Sequence, residues 1–206
     1  MRTGKPLRRW PEAVRNQELV VVSWGGALSP AALEARHLVG LFACWRAFMQ
    51  LTEILTEARI IIDPEGRFAP TKEAALGTLA EVIARDLSLK PEEVFAALVE
   101  REKLQSTGIG EGVAIPHSSL SQVERQTAAL LLAPKGIGFE AIDNAPAQII
   151  FAVISPKRAA SEHLKILAKI SRLLRSPETR RRLLESKTSE QAYALVAEHD
   201  DRNSLT

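Results

Sequence analysis

Two runs, residues 127–133 and 148–154, each continuously apolar after a polar first residue (Thr127, Gln148), constrain the fold of this chain more than any other feature. Each has the length of a strand and is bounded by Pro or Gly. A strand that is apolar at every position, not at alternate ones, needs cover on both faces. The flanking segments supply it. Thr71 is placed to cap a helix running to about Asp86, with Leu76, Leu79, Ile83 and Leu87 on one face. Pro91, followed by Glu92 and Glu93, opens a second helix with Val94, Phe95, Leu98 and Val99 as its apolar face. Ser161 is placed to cap a third, running to about Arg175, with Leu164, Leu167, Ile170, Leu173 and Leu174 inward. Pro177 and Thr188 start two more, the latter with Gln191 three residues after its cap. Residues 59–62 form a short β-branched run ended by Asp63-Pro64-Glu65-Gly66, which reads as strand then turn. Strands flanked by helices predict an α/β layered domain.

Charge separates this domain from what precedes it. The chain of 206 residues carries a formal net charge of +2. Residues 1–48 hold seven Lys/Arg against three Glu, so the remainder is net −2. The same 48 residues contain all three tryptophans and the single cysteine, Cys44. A lone cysteine excludes an internal disulfide, and nothing asks for an oxidising compartment, so the chain reads as cytoplasmic. No run of 18 or more apolar residues is present, which excludes a membrane-spanning protein. A secretory signal fits poorly, because Glu18 touches the apolar stretch 19–28 and Gly25 and Gly26 interrupt it. From Ala31 to Leu55 apolar residues recur at helical intervals after Ser29-Pro30, which predicts one helix. The basic excess is confined to 1–48 and implies no nucleic-acid partner.

The segment from Arg101 to His117 is where chemistry is expected. Gly108, Gly110 and Gly112, three of eleven glycines, fall within five residues between a helix end and a short apolar strand. Glycines let successive amides converge on an anion, yet the spacing is neither that of a Walker loop nor a dinucleotide fingerprint. A tight turn explains the glycines equally well. His117, held by Pro116, adds a group that titrates near neutrality and can carry a phosphoryl group. Two residues are candidates to compensate the added charge. Arg101 has a fork suited to phosphate oxygens, and its helical neighbours Ala97, Leu98, Leu104 and Gln105 include no acid. His163 follows Ser161 in a first turn, where the helix dipole favours an anion. A salt-bridged surface arginine and a solvated histidine are the structural alternatives. His37 and His199 have no comparable surroundings in the sequence.

Residues 101–117 resemble the active-site segment of the fructose/mannitol-type enzyme IIA domains of the phosphoenolpyruvate-dependent phosphotransferase system. Arg101-Glu102-Lys103-Leu104, Thr107-Gly108-Ile109-Gly110 and Gly112-Val113-Ala114-Ile115-Pro116-His117 follow that pattern in order and spacing. The resemblance runs from about Met49 to Glu198 and takes in residues 139–144 and His163-Leu164; among the branches it is most similar to the nitrogen-regulatory one. It implies a three-layer domain with a mixed central sheet flanked by helices. It also implies that His117 accepts a phosphoryl group from an HPr-type phosphocarrier, with Arg101 and His163 stabilising it. Thr107, Gly108 and Gly110 are implied to lie at the phosphate. No metal, nucleotide or other cofactor is implied. Regulatory target proteins such as kinases or transport components are the implied downstream partners.

One departure stands out. The family usually has glycine directly after the active histidine, and this chain has Ser118. If that position needs positive φ, serine costs roughly 1 kcal/mol or more. Three other readings compete with a regulatory phosphocarrier. One is a sugar-specific IIA passing the group to a IIB partner, another a binding module in which His117 is never phosphorylated. The third, a hydrolase pairing His117 with Ser118 or Ser119, lacks an orienting acid. Residues 1–48 are expected to be an extension, poorly ordered or a single helix, added ahead of a start at Met49. Residues 49–200 are expected to be the phosphocarrier domain and 201–206 a tail.

Overall fold

The computed structural model describes residues 50–204. The extension 1–48, with most of the helix expected over 31–55, lies outside the described residues. A four-residue helix α1 (Leu51–Ile54) is followed by a 3₁₀ turn (Glu57–Arg59) and strand β1 (Ile60–Ile62). Two helices come next, α2 (Lys72–Leu87) and α3 (Pro91–Leu104). Strands β2 (Gly108–Gly110), β3 (Val113–Ala114), β4 (His117–Leu120), β5 (Thr127–Ile137) and β6 (Ala147–Pro156) follow without an intervening helix. The described part ends on α4 (Ala160–Arg175), α5 (Pro177–Glu185) and α6 (Ser189–Ser204). This last helix runs four residues into the segment expected to be a tail.

Both apolar runs form strands at the centre of one mixed sheet of six strands, ordered β1-β5-β6-β3-β2, with β4 also on β6. β5 and β6 pair antiparallel from Thr127↔Ile154 through Leu132↔Ile149, while β1 runs parallel to β5, β3 and β4 run parallel to β6, and β2 is antiparallel to β3. Alternate residues of the central strands serve two separate cores. Ala129, Leu131, Ile150, Ala152 and Ile154 pack with Leu76, Leu79 and Ile83 of α2 and Val94 and Leu98 of α3. Ala128, Leu130, Leu132, Ile149, Phe151 and Val153 pack with Ile166, Ile170 and Leu173 of α4, Leu183 of α5 and Val196 of α6. The three layers therefore follow from two strands with no polar face.

Local signals fix most helix starts. The Thr71 hydroxyl accepts from the Ala74 N–H at 3.2 Å, and Pro91 and Pro177 each stand in the first turn of a helix. Thr188 accepts from the Gln191 N–H at 3.2 Å, as expected of a capping residue. The expected cap at Ser161 is corrected: α4 begins at Ala160, and Ala159 at the cap position offers no side-chain acceptor. The apolar periodicity sets the helix, whereas the preceding turn, closed by Ala159 N–H to Pro156 O at 3.0 Å, sets where it starts.

The short apolar strand expected ahead of Pro116 and His117 is β3, and a second strand, β4, starts at His117 itself. Pro116 has no N–H for the ladder, so the pairing along β6 is interrupted there between β3 and β4, both parallel to β6. The carbonyl of Pro116 still accepts from Val153 N–H at 2.9 Å, which keeps the break in register. His117 opens β4 opposite Val153, and Ser118 lies opposite Ile154. Ser118 is not among the residues with positive φ. Serine at this position therefore carries none of the backbone cost that a left-handed conformation would impose.

Replacing Ser118 by glycine is expected to lower stability by about 0.5–1 kcal/mol, the cost of a glycine inside a strand. Urea unfolding of both proteins measures this, and a glycine variant that gains stability would show strain at Ser118 after all.

Candidate active site

Three elements bring the candidate residues together. Arg101 stands in the last turn of α3, where a cation complements the helix carbonyl end. Its Nη1 donates to the Gln105 carbonyl at 3.0 Å, and its Nε donates to His117 Nε2 at 3.2 Å. No carboxylate pairs with Arg101 among the described residues, so its remaining donors are available to an incoming anion. His117 Nδ1 lies 2.8 Å from the Ile115 carbonyl. A carbonyl only accepts, which makes Nδ1 the protonated nitrogen and leaves the lone pair on Nε2. The His163 ring is 5.4 Å from that of His117, centroid to centroid, and tilted by 51°. Its Nδ1 is 2.7 Å from the hydroxyl of Ser155, on β6.

Both imidazoles resist protonation. Burial lowers the His117 pKa below its ordinary value, and the Arg101 charge lowers it further, against the opposing effects of the Ile115 carbonyl and Glu102. His163 is lowered by burial, then by His117 and Arg101. The site thus presents two neutral rings beside one guanidinium, with a lone pair on the half-buried His117.

His163 is placed differently from the sequence expectation. It occupies the fourth position of α4, and its N–H is already given to the Ala159 carbonyl at 2.9 Å. Its contribution to the site is the ring, not a backbone amide. The residues expected around a phosphate, Thr107, Gly108 and Gly110, make other contacts. The Thr107 hydroxyl and N–H both donate to the buried carboxylate of Glu102. Gly108 donates to the Ser106 hydroxyl at 3.1 Å, and a Cβ there would come within 2.9 Å of the Ala141 backbone. Gly110 has φ +90°, and a Cβ on it would meet the Asp143 carboxylate at 3.1 Å. That carboxylate accepts the Glu111 N–H at 2.7 Å and the Ala145 N–H at 3.0 Å, bonds that hold its pKa below the usual carboxylate range. The glycine loop is packed against residues 141–143, and its amides at Gly108 and Glu111 are already engaged.

Two residues at the site carry no distinct sequence signal. Glu102 is 7% exposed and binds Lys72 Nζ at 2.8 Å as well as Thr107. It thereby ties α3 to the first residue of the loop and to α2. Nothing separates it by spacing from any other acid beside an arginine. Ser155 is the first polar residue after an apolar run, a position equally suited to a simple strand end.

The chain is similar to known proteins over this whole region. Residues 53–199 match the family model described as phosphoenolpyruvate-dependent sugar phosphotransferase system, EIIA 2. The nitrogen regulatory protein of Pseudomonas aeruginosa is 35% identical over 151 residues, covering 73% of this chain and 96% of that protein. The fructose-specific EIIA component of Haloferax volcanii is 31% identical over 157 residues, covering 73% of this chain and 98% of its own length. Among solved structures, nitrogen regulatory protein IIA-Ntr from Neisseria meningitidis superposes with a TM-score of 0.65 at 32% identity, covering 71% of this chain and 98% of that one. The match to the family model, spanning every strand and all but the first and last few residues of the described fold, shows that the chain belongs to the EIIA 2 family of the phosphotransferase system.

Proposed function

We propose that this chain is a regulatory phosphocarrier that accepts a phosphoryl group on Nε2 of His117 from the phosphohistidine of an HPr-type protein. The observation that carries the reading is the state of His117: neutral, with Nδ1 held by the Ile115 carbonyl at 2.8 Å and Nε2 facing an arginine that has no acid partner among the described residues. Nε2 attacks phosphorus as the donor's N–P bond breaks, and the bonding pair returns to the donor imidazole. Nδ1 keeps its proton and donates it in a hydrogen bond to the Ile115 carbonyl, which stabilises the positive charge that develops on the ring. Arg101 leaves the lone pair and turns its donors to the phosphoryl oxygens, and the His163 ring stands 5.4 Å from that of His117. Transfer of this kind needs alignment and charge compensation more than any other help from the protein.

The surface supports a protein donor. Of the large hydrophobic side chains exposed among the described residues, Leu104 (82%), Ile109 (51%), Ile142 (87%) and Leu164 (66%) sit on the segments that build or flank the site. Exposed apolar groups around a polar centre suit a protein interface. In this reading Thr107, Gly108 and Gly110 act by fixing the loop that borders His117, and the phosphate is held by Arg101 and His163. Residues 49–200 act as the carrier domain. A phosphoryl group adds up to about two negative charges to that apolar rim, enough to change which partner it binds. Similarity to nitrogen regulatory proteins in both sequence and structure favours regulation, with kinases or transport components as targets. The fructose-specific relative supports the second reading, transfer onward to a IIB partner.

Incubation with phosphoenolpyruvate, enzyme I and an HPr-type protein, followed by intact mass, is expected to show one acid-labile phosphoryl group that is absent in His117→Ala. Label retained in that variant would overturn the site. Arg101→Ala is expected to fold normally and to slow transfer by about 10–100-fold, the worth of a charge-assisted hydrogen bond.

The pH dependence follows from the lowered pKa of His117. A histidine with a lowered pKa stays unprotonated, and nucleophilic, as pH falls through 6.5, its ordinary value, and is lost only below it. In a histidine NMR titration, the His117 midpoint is expected below 6.5 and is expected to rise in Arg101→Ala, which removes one of the lowering causes. A midpoint that falls in the variant would contradict this electrostatic account.

A further inference from the structure

Ser155 is the last polar side chain of β6 and is fully buried. Its hydroxyl has one hydrogen-bond partner among the described residues, His163 Nδ1, at 2.7 Å. A hydroxyl owns one proton and two lone pairs, and a buried donor left without an acceptor costs more than an unused lone pair. Were the imidazole to donate from Nδ1, the Ser155 proton would have nowhere to go. Gln126 stands next in line opposite Ser155, one residue before the Thr127↔Ile154 pair, but its amide makes no hydrogen bond in the structure. The bond therefore runs from Ser155 Oγ–H to Nδ1.

We infer that Ser155 is a positioning residue that fixes His163 as the Nε2–H tautomer, making the second histidine a hydrogen-bond donor to the phosphoryl oxygens in transfer. This rests on the phosphocarrier reading above. The two rings, 5.4 Å apart, are then held in opposite tautomers by two different partners. The Ile115 carbonyl leaves His117 a lone pair for attack, and Ser155 leaves His163 a proton for the oxygens. The difference decides the sign of the interaction. A lone pair on His163 Nε2 repels the anionic equatorial oxygens, whereas an N–H attracts them. Because His163 is kept neutral by burial and by its neighbours His117 and Arg101, the choice of tautomer is a real one at neutral pH.

The test reads tautomer and rate separately. In long-range proton–nitrogen NMR spectra of the ¹⁵N-histidine-labelled full chain, His163 is expected to show a protonated Nε2 and a bare Nδ1. In Ser155→Ala that preference is expected to give way to a mixture, while Ser155→Thr, which keeps the hydroxyl, retains it. Transfer from an HPr-type donor is expected to slow roughly tenfold in Ser155→Ala, as for one misdirected hydrogen bond, and to recover in Ser155→Thr. In a His163→Ala background, Ser155→Ala is expected to add nothing further. A wild-type His163 protonated on Nδ1 would overturn the inference, whatever becomes of the variants. So would a Ser155→Ala effect that persists in full without His163. If the wild-type chain accepts no phosphoryl group, the phosphocarrier reading fails instead, and the tautomer is still read from the same spectra.

Discussion

The antiparallel pair of β5 and β6 is the constraint on which the rest of the molecule hangs. Neither strand has a polar face: Ala128, Leu130 and Leu132 enter one core while Ala129, Leu131 and Ala133 enter the other. Such a pair is unstable against water on either side, so helices must cover both. Phe151, at 0% exposure, and its cross-strand neighbour Leu130 lie on the face covered by α4, α5 and α6. The same strand also positions the chemistry. β6 presents Val153 to His117 and Ser155 to His163, so one rigid buried strand sets both imidazoles. A site built on a central strand is held more firmly than one built on loops alone.

The break between β3 and β4 at Pro116 shapes the candidate site on this scaffold. Without it, β3 and β4 would form one continuous strand along β6. With it, the Ile115 carbonyl turns to His117 Nδ1 while the Pro116 carbonyl stays in the ladder at Val153. The tautomer of His117 is thus decided by where the main chain directs the Ile115 carbonyl. Glu102 completes the frame from the other side. Its buried carboxylate binds Lys72 of α2 and the first loop residue, Thr107, so the helix that carries Arg101 and the loop leading to His117 share one anchor.

Much of this was legible from residue order. The two apolar runs required a doubly covered sheet, and Thr71, Pro91, Pro177 and Thr188 marked real helix starts because caps and first-turn prolines act locally. Arg101 and His117 were identifiable as partners by residue type and spacing. What sequence did not reveal depended on contacts distant along the chain. Ser161 looks like a cap, but a turn closed onto Pro156 starts the helix earlier. The glycines look like an anion cradle, but Gly108 and Gly110 are needed where Ala141 and Asp143 press against the loop. Glu102 and Ser155 acquire meaning only from Lys72, Thr107 and His163, partners that no local pattern specifies. Ser118, a departure from the family pattern, carries no backbone strain because the main chain there is an ordinary strand.

The proposed transfer turns on one atom, Nε2 of His117, whose lone pair is available because Nδ1 keeps its proton and donates it to the Ile115 carbonyl. The most direct measurement is nitrogen–phosphorus coupling in ¹⁵N-histidine-labelled protein phosphorylated through the phosphoenolpyruvate-dependent chain. Coupling of phosphorus to Nε2 of His117, with Nδ1 still protonated, is the expected result. Phosphorus on Nδ1 of His117, or on any other residue, would contradict it.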